Sequence, residues 1–235
     1  MPRDPMTFDE KLFPGVTQAN WQMNWSEKIA LTGILSRMKP KGALEVGVYH
    51  GGSLTLAAPF CDRILAIDID PDVPNRFEVP PNAEILIAPS AESIPDALAR
   101  LESLNLPLNY VLIDADHSEA GVKSDIERVL KYHPREPMIM LMHDSGNPGC
   151  RNGMLSAHWS SNPYVQWIEL DFVPGQIIEH SVSGGHPEVW GGLAMAWFMP
   201  EPRKGDPVIS QGSRTSVRSA QLFSQAMAET FGRAP

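Results

Sequence analysis

Residues 43–53 read ALEVGVYHGGS, a short apolar run that meets an acidic residue and then breaks into glycines. Ala43 to Val46 have the composition of a buried strand, with Glu45 near its end. Gly47, Gly51 and Gly52 let the backbone turn sharply and approach a ligand without interference from a Cβ. Ligands of open α/β sheets bind at the carboxyl ends of such strands. The spacing then selects among ligands. A dinucleotide fingerprint, G-x-G-x-x-G, sets its middle glycine against a pyrophosphate, and here that position holds Tyr49, so a pyrophosphate fits poorly.

Working outward, short apolar runs alternate with amphipathic segments from about residue 26 to 143, the sequence form of repeated strand–helix–strand units. Strands are predicted at Ala43–Val46, Arg63–Ile67, Glu84–Ile87, Tyr110–Ile113 and Met138–Met142, with room for crossover helices between them. A helix over Ser26–Met38, with Ser26 as its cap, puts Leu31, Ile34, Leu35 and Met38 on one face before Pro40 stops it. Val122, Ile126, Val129 and Leu130 predict another over Ser118–Tyr132, whereas Pro59 keeps the helix after Ser53 short. The run SGNPGCRNGMLSAHWSSNP, residues 145–163, reads as a long loop suited to a lid. Val165–Phe172 and Leu193–Phe198 come without a helix between them and are expected to pair as an antiparallel hairpin at one sheet edge. The expected organisation is one domain over residues 1–200, with residues 1–25 as a cap or lid segment. Residues 201–235 follow as a polar linker and a C-terminal helix within Ser216–Phe231.

A formal net charge of −9 argues against a general nucleic-acid binder, because phosphate backbones are held mainly by clustered Lys and Arg. Cys61 and Cys150 have neither a metal-ligand spacing nor the density of a disulfide framework. The N-terminus lacks the apolar core of a signal peptide, and no run approaches a membrane span, so the expected compartment is the cytoplasm. The expected partners are a small-molecule acceptor and a second copy of the chain, with neither nucleic acid nor membrane.

The string EVGVYHGGS resembles the first motif of class I S-adenosylmethionine-dependent methyltransferases. That resemblance implies a Rossmann-like fold: a seven-stranded, mostly parallel sheet with one antiparallel edge hairpin and helices on both faces. It also implies that Glu45, Gly47, Tyr49, Gly51 and Ser53 form the wall against S-adenosylmethionine. Asp68, ending the second strand, would accept the ribose hydroxyls, with Asp70 as the competing ligand on the same strand face. IAPSAE resembles the segment that approaches the adenine and nominates Ser90 and Ala91; Ser90 reads equally as a helix cap.

NYVLIDADHSEAGVKSDI carries Asp114, Asp116 and His117 beyond one strand, and MLMHDS places Asp144 beyond the next. Two carboxylates facing one crevice call for a cation, a proton or hydrogen bonds, and magnesium is the hard cation that prefers oxygen ligands. The pairing is similar to that of catechol-type and macrolide-sugar O-methyltransferases, where such carboxylates hold a metal and a histidine at the offset of His117 serves as base. The D-x-D-H-S-x-x-G-V-x-x-D string is also similar to a bacterial group that includes cephalosporin-hydroxylase-like methyltransferases. Two positions depart from the pattern: Ser145 replaces the catechol-type Asn, and His143 replaces the acidic residue of the sugar enzymes. Either the site takes another metal, with Asp114, Asp144 and His143 as ligands, or it takes none. Asp114 would then serve cofactor, acceptor and metal at once.

The implied reaction is methyl transfer to a hydroxyl of a sugar or natural-product scaffold, with His117, Asp114 and Asp144 as catalytic residues. The bland readings are a helix-start His117 bonded to Asp116 and an Asp144 that caps its own turn. Rival functions are metal-free N-methylation, nicotinamide-dependent oxidoreduction and noncatalytic cofactor binding. Trp21, Trp25, His50, Arg151 and Trp159 flank the mouth, mostly as packing residues, with Arg151 expected on the surface.

Overall fold

The computed structural model describes residues 21–179 and 187–212. The C-terminal helix expected within residues 216–231, and most of the N-terminal cap segment, lie outside the described residues.

β1 (Gly42–Val46) is buried along its whole length and pairs in parallel with β2 (Arg63–Asp68) on one side and β4 (Leu108–Ile113) on the other. β3 (Ala83–Ile87) extends the sheet beyond β2, and β5 (Met138–His143) extends it beyond β4, all in parallel. The chain therefore winds outward both ways from β1. That topology opens a crevice above the carboxyl ends of β1 and β4.

Val165–Val173 is β6 and Leu193–Phe198 is β9; they pair antiparallel as the sequence predicts, and β9 also pairs antiparallel with β5. The seven-strand expectation falls one short. Val208–Ser210, β10, adds to β6 in parallel, giving eight strands in the order β10-β6-β9-β5-β4-β1-β2-β3. Three residues of the stretch read as linker thus join the sheet, because β6 would otherwise present an unpaired edge. β7 (Gln176–Glu179) and β8 (Pro187–Trp190) form a separate antiparallel pair.

Helix α1 (Trp25–Met38) starts one residue before the expected position, and its cap is Asn24 rather than Ser26. The Asn24 side chain accepts from the Glu27 N–H while the Glu27 side chain takes the Asn24 N–H, a reciprocal capping box. α2 (Gly52–Ala57) is short, as Pro59 demands. α3 (Ser90–Ser103), α4 (Glu119–Val129) and α5 (Pro148–Ser156) follow. α5 corrects the lid expectation: Asn147 caps it through the Gly149 and Cys150 N–H groups, Pro148 suits its first turn, and its Cys150, Gly153 and Met154 are buried. A Cβ on Gly153 would lie 2.7 Å from the Glu119 carbonyl oxygen, so the glycine permits close packing of α5 on α4.

Side chains alternate across the sheet. Leu44, Val46, Val111, Ile113, Met140 and Met142 enter the core shared with α3, α4 and α5. Ala43, Tyr110, Leu112, Ile139 and Leu141 enter the core shared with α1 and α2. By the same parity Glu45 and His143 fall on the α1 face. This shared face lets α1 take part in the site.

Candidate active site

A cavity of about 750 Å³ lies over the crevice. Gly47, Tyr49, Ser53, Asp68, Ser90, Asp114, His117, His143 and Asp144 all line it, whereas Glu45, Gly51 and Ala91 do not. Trp21 and His50 also line the wall, but Trp25 and Trp159 stay out of it.

Each glycine of the β1 turn has its own neighbour. Gly47 has φ +94, and a Cβ there would stand 2.0 Å from the Asp114 carbonyl oxygen, so this glycine lets the turn cross the end of β4. Added Cβ atoms at Gly51 and Gly52 would meet the rings of Phe77 and Trp21, each at 2.4 Å. The space the sequence reserves for a ligand is thus partly taken by aromatic packing. Tyr49 itself has φ 52, in the left-handed region.

Asp68 anchors this turn. Its Oδ2 accepts the Val48 and Tyr49 N–H groups at 2.9 and 3.1 Å, and its Oδ1 accepts the Asp70 N–H at 2.9 Å. Asp70 pairs with Arg76, which also donates to the Tyr49 carbonyl at 3.2 Å. The Asp72 backbone N–H and the Arg76 guanidinium hold the Asp70 carboxyl below its ordinary range. Glu45 lies beneath the turn with its carboxylate 2.5 Å from the Ser53 hydroxyl, and burial pushes its pKa up to about 8 against that hydrogen bond. Ser90 sits in the first turn of α3 after Pro89, and its hydroxyl donates to Asp125 Oδ1 at 2.6 Å.

At the other end, His143 Nδ1 lies 3.0 Å from Asp114 Oδ1 and 3.4 Å from Asp144 Oδ2. His117 Nε2 lies 3.2 Å from Asp144 Oδ2 and 3.8 Å from Asp114 Oδ1. The His117 ring stands edge-on to Trp190, centroids 5.5 Å apart. Asp116 instead accepts the Ser118 N–H, so His117 is not tied to it. Asp144 has φ 56, left-handed for a residue with a Cβ, and its Oδ1 accepts the Gly191 N–H at 2.6 Å. It does more than cap a turn.

Burial pushes the Asp114 carboxyl up, but the charges and hydrogen bonds of His143 and His117 outweigh it and bring the pKa down to about 2. The His117 pKa is raised by hydrogen bonding to Asp114, against burial, with the Asp144 charge adding to the rise. Burial opposes charge on His143, yet Asp114, Asp144 and Glu27 raise it well above the ordinary histidine value.

Glu27 is the residue that sequence reading missed. It is 1 % exposed, its Oε1 lies 3.4 Å from His143 Nε2, and the same oxygen accepts the Gly192 N–H. The Asn24-x-x-Glu27 capping box was readable; its approach to β5 was not, because α1 and β5 are distant in sequence. Arg151 is the other surprise. It is buried against Asp171, Nη1 to Oδ1 2.8 Å and Nη2 to Oδ2 3.2 Å, a bidentate pair rather than surface.

Residues 44–145 match the family model described as a methyltransferase domain. That stretch, less than half of the chain, is similar to methyltransferase domains. The match runs from β1 to just past β5 and so contains the glycine turn, Asp68, Asp114, His117, His143 and Asp144. Three solved structures share the fold. An O-methyltransferase from Bacillus cereus in complex with SAH aligns with TM-score 0.53 at 15% identity, covering 75% of this chain and 82% of that one. Cofactor-bound Rv0187 from MTB aligns with TM-score 0.54 at 15% identity, over 77% and 83%. TomG from Streptomyces achromogenes, an O-methyltransferase of tomaymycin synthesis in complex with SAM, gives 0.53 at 13% identity over 75% and 81%. No curated protein matches by sequence. Among the described residues no helix is long and apolar enough to cross a membrane.

Proposed function

We propose that the chain transfers the methyl group of S-adenosylmethionine to a hydroxyl of a small molecule, with His117 as general base. The observation that carries this reading is that one cavity is lined together by Gly47, Tyr49 and Asp68 and by Asp114, His117 and Asp144. The cofactors in the solved relatives support the same reading.

S-adenosylmethionine supplies a methyl group on a sulfonium, which an oxygen in line displaces as a neutral thioether. The protein must then bind, orient and remove a proton. A carboxylate offers about four lone-pair directions, and Asp68 gives three to backbone N–H groups, leaving one for a ribose hydroxyl. Asp144 sits beside Nε2 of His117, so it orients the ring and stabilises the imidazolium formed when Nδ1 takes the acceptor's proton. The raised pKa of His117 makes its neutral ring a stronger base. Trp190, edge-on to that ring, packs against it and helps to fix its orientation.

Asp114, His143 and Asp144 each offer one ligand atom, all within 4.8 Å of one another, a donor set that fits a divalent cation. Where such an ion binds, these three would hold it, and its charge would lower the pKa of the acceptor hydroxyl.

Calorimetry with S-adenosylhomocysteine tests the cofactor half. Asp68→Ala should weaken binding at least about tenfold by losing a charge-assisted bond, while Asp70→Ala, already committed to Arg76, should change it little. Supplying isotope-labelled S-adenosylmethionine with panels of phenols, sugars and amines tests the acceptor. Label should enter hydroxyls, and His117→Gln should lower kcat about 10²- to 10⁴-fold with KM little changed. Failure to bind S-adenosylhomocysteine, or label entering amines alone, defeats the proposal.

A further inference from the structure

A helix-capping glutamate is ordinarily a surface residue, yet Glu27 is 1 % exposed and sits behind His143, which lines the cavity. Two of its roughly four lone-pair directions are assigned. Oε2 takes the Asn24 N–H at 2.5 Å and Oε1 takes the Gly192 N–H. Of the two that remain, one lies toward Nε2 of His143, 3.4 Å away and without a hydrogen bond to it. Nε2 is a buried polar atom without a hydrogen bond in this arrangement, on a side chain 9 % exposed. The opposite nitrogen, Nδ1, points at both carboxylates, 3.0 Å from Asp114 Oδ1 and 3.4 Å from Asp144 Oδ2.

Atoms bound to one ion at about 2.0–2.2 Å stand roughly 3.0–3.5 Å apart when they occupy neighbouring positions. Nδ1 of His143 meets both oxygens at that spacing. A histidine that ligates through one nitrogen almost always gives its other N–H to a carboxylate or carbonyl, which fixes the ring and raises its basicity. Glu27 stands where that carboxylate belongs. Imidazole nitrogen suits borderline ions such as zinc and cobalt, whereas magnesium selects all-oxygen sets.

We propose that Glu27 is a positioning residue that turns His143 Nδ1 into a metal ligand, making Asp114, His143 and Asp144 a nitrogen-containing centre adapted to a zinc-class ion rather than magnesium. This rests on the methyltransferase reading only in taking the cavity's acidic end as the place of a cation. Glu27 lies outside the 44–145 stretch that the methyltransferase-domain model covers. Its lever is ring orientation: α1 presents Glu27, the Gly191–Gly192 turn clamps it, and its Oε1 stands 3.4 Å from His143 Nε2, in reach of that N–H once an ion draws the ring into line.

The test uses the full chain, stripped of metal by chelation and titrated calorimetrically with ZnCl₂ and with MgCl₂, alongside S-adenosylhomocysteine. Zinc outcompetes magnesium at most protein sites, so the informative quantity is the change in the ratio on substitution. His143→Asp restores an all-oxygen set and should reduce the zinc-to-magnesium affinity ratio at least about tenfold; Glu27→Gln should weaken zinc about 10- to 100-fold. Pulsed EPR of the Mn²⁺-loaded protein should show ¹⁴N coupling that His143→Asp abolishes and His117→Ala retains. Unchanged far-UV circular dichroism and S-adenosylhomocysteine affinity in both metal-site variants separate these effects from misfolding. An unaltered ratio in His143→Asp, wild-type zinc affinity in Glu27→Gln, or no metal binding at all overturns the proposal. Those results leave the methyltransferase reading standing if S-adenosylhomocysteine still binds. Should a variant misfold, the ¹⁴N signal of the wild-type protein decides: its absence refutes nitrogen ligation.

Discussion

Replacing Glu45 with Gln should abolish a pH dependence of stability that the fold builds into its central strand. Glu45 is 1 % exposed on β1, and its nearest polar partner is the Ser53 hydroxyl at 2.5 Å. Burial drives its carboxyl from an ordinary 4.5 to about 8, the Ser53 hydrogen bond opposes the rise, and the charges of Asp114 and Asp68 add to it. The folded protein therefore keeps a proton on Glu45 that the unfolded chain releases above its ordinary pKa. Stability from this group is fully present below about pH 4.5, falls as pH rises, and is lost once pH passes about 8. At about 1.4 kcal/mol per pH unit, the interval from 4.5 to about 8 amounts to about 5 kcal/mol, an order-of-magnitude ceiling. Gln keeps the shape and the acceptor for Ser53 but cannot ionise. Urea unfolding from pH 5 to 8.5 should show wild-type protein losing about 3 to 4 kcal/mol relative to Glu45→Gln. Because every other titrating group is common to both proteins, the difference isolates this residue. Parallel stability curves, within about 1 kcal/mol across the range, would refute the reasoning.

Arg151→Met should destabilise by about 3 to 5 kcal/mol in denaturant unfolding, because the Asp171 carboxylate stays buried without its bidentate partner; the double variant Arg151→Met/Asp171→Leu should recover most of that loss. Gly47→Ala should cost more than about 3 kcal/mol or yield insoluble protein, since its Cβ would stand 2.0 Å from a backbone oxygen at φ +94. Gly33→Ala in α1, with nothing within 4 Å of its added Cβ, should instead gain about 0.5–1 kcal/mol, read as a rise in Tm.

The main lines of the fold were legible because its strands announce themselves. Ala43–Val46, Tyr110–Ile113 and Met138–Met142 are apolar runs bounded by Gly, Asp and His, and they form the buried middle of the sheet. β10 was not legible, because three residues, two of them exposed, carry too little pattern. Helix α5 was hidden for a different reason. Its Gly and Asn content reads as loop, yet the Asn147 cap and the groove on α4 that accepts Gly153 make a helix of it.

The sequence by itself determined the ends of the strands, and with them Asp68, Asp114 and Asp144, since a polar residue closing an apolar run falls at the sheet's carboxyl edge. It also determined that Tyr49 displaces the pyrophosphate-binding glycine. Only the tertiary structure decided what those groups touch. Asp68 spends most of its capacity on backbone N–H groups, Gly51 and Gly52 back onto aromatic rings, and His143 is flanked by Asp114, Asp144 and Glu27. Strand periodicity is local and survives in one dimension. The charge balance around His143 depends on which helix lies across that face, and chain distance carries no record of it.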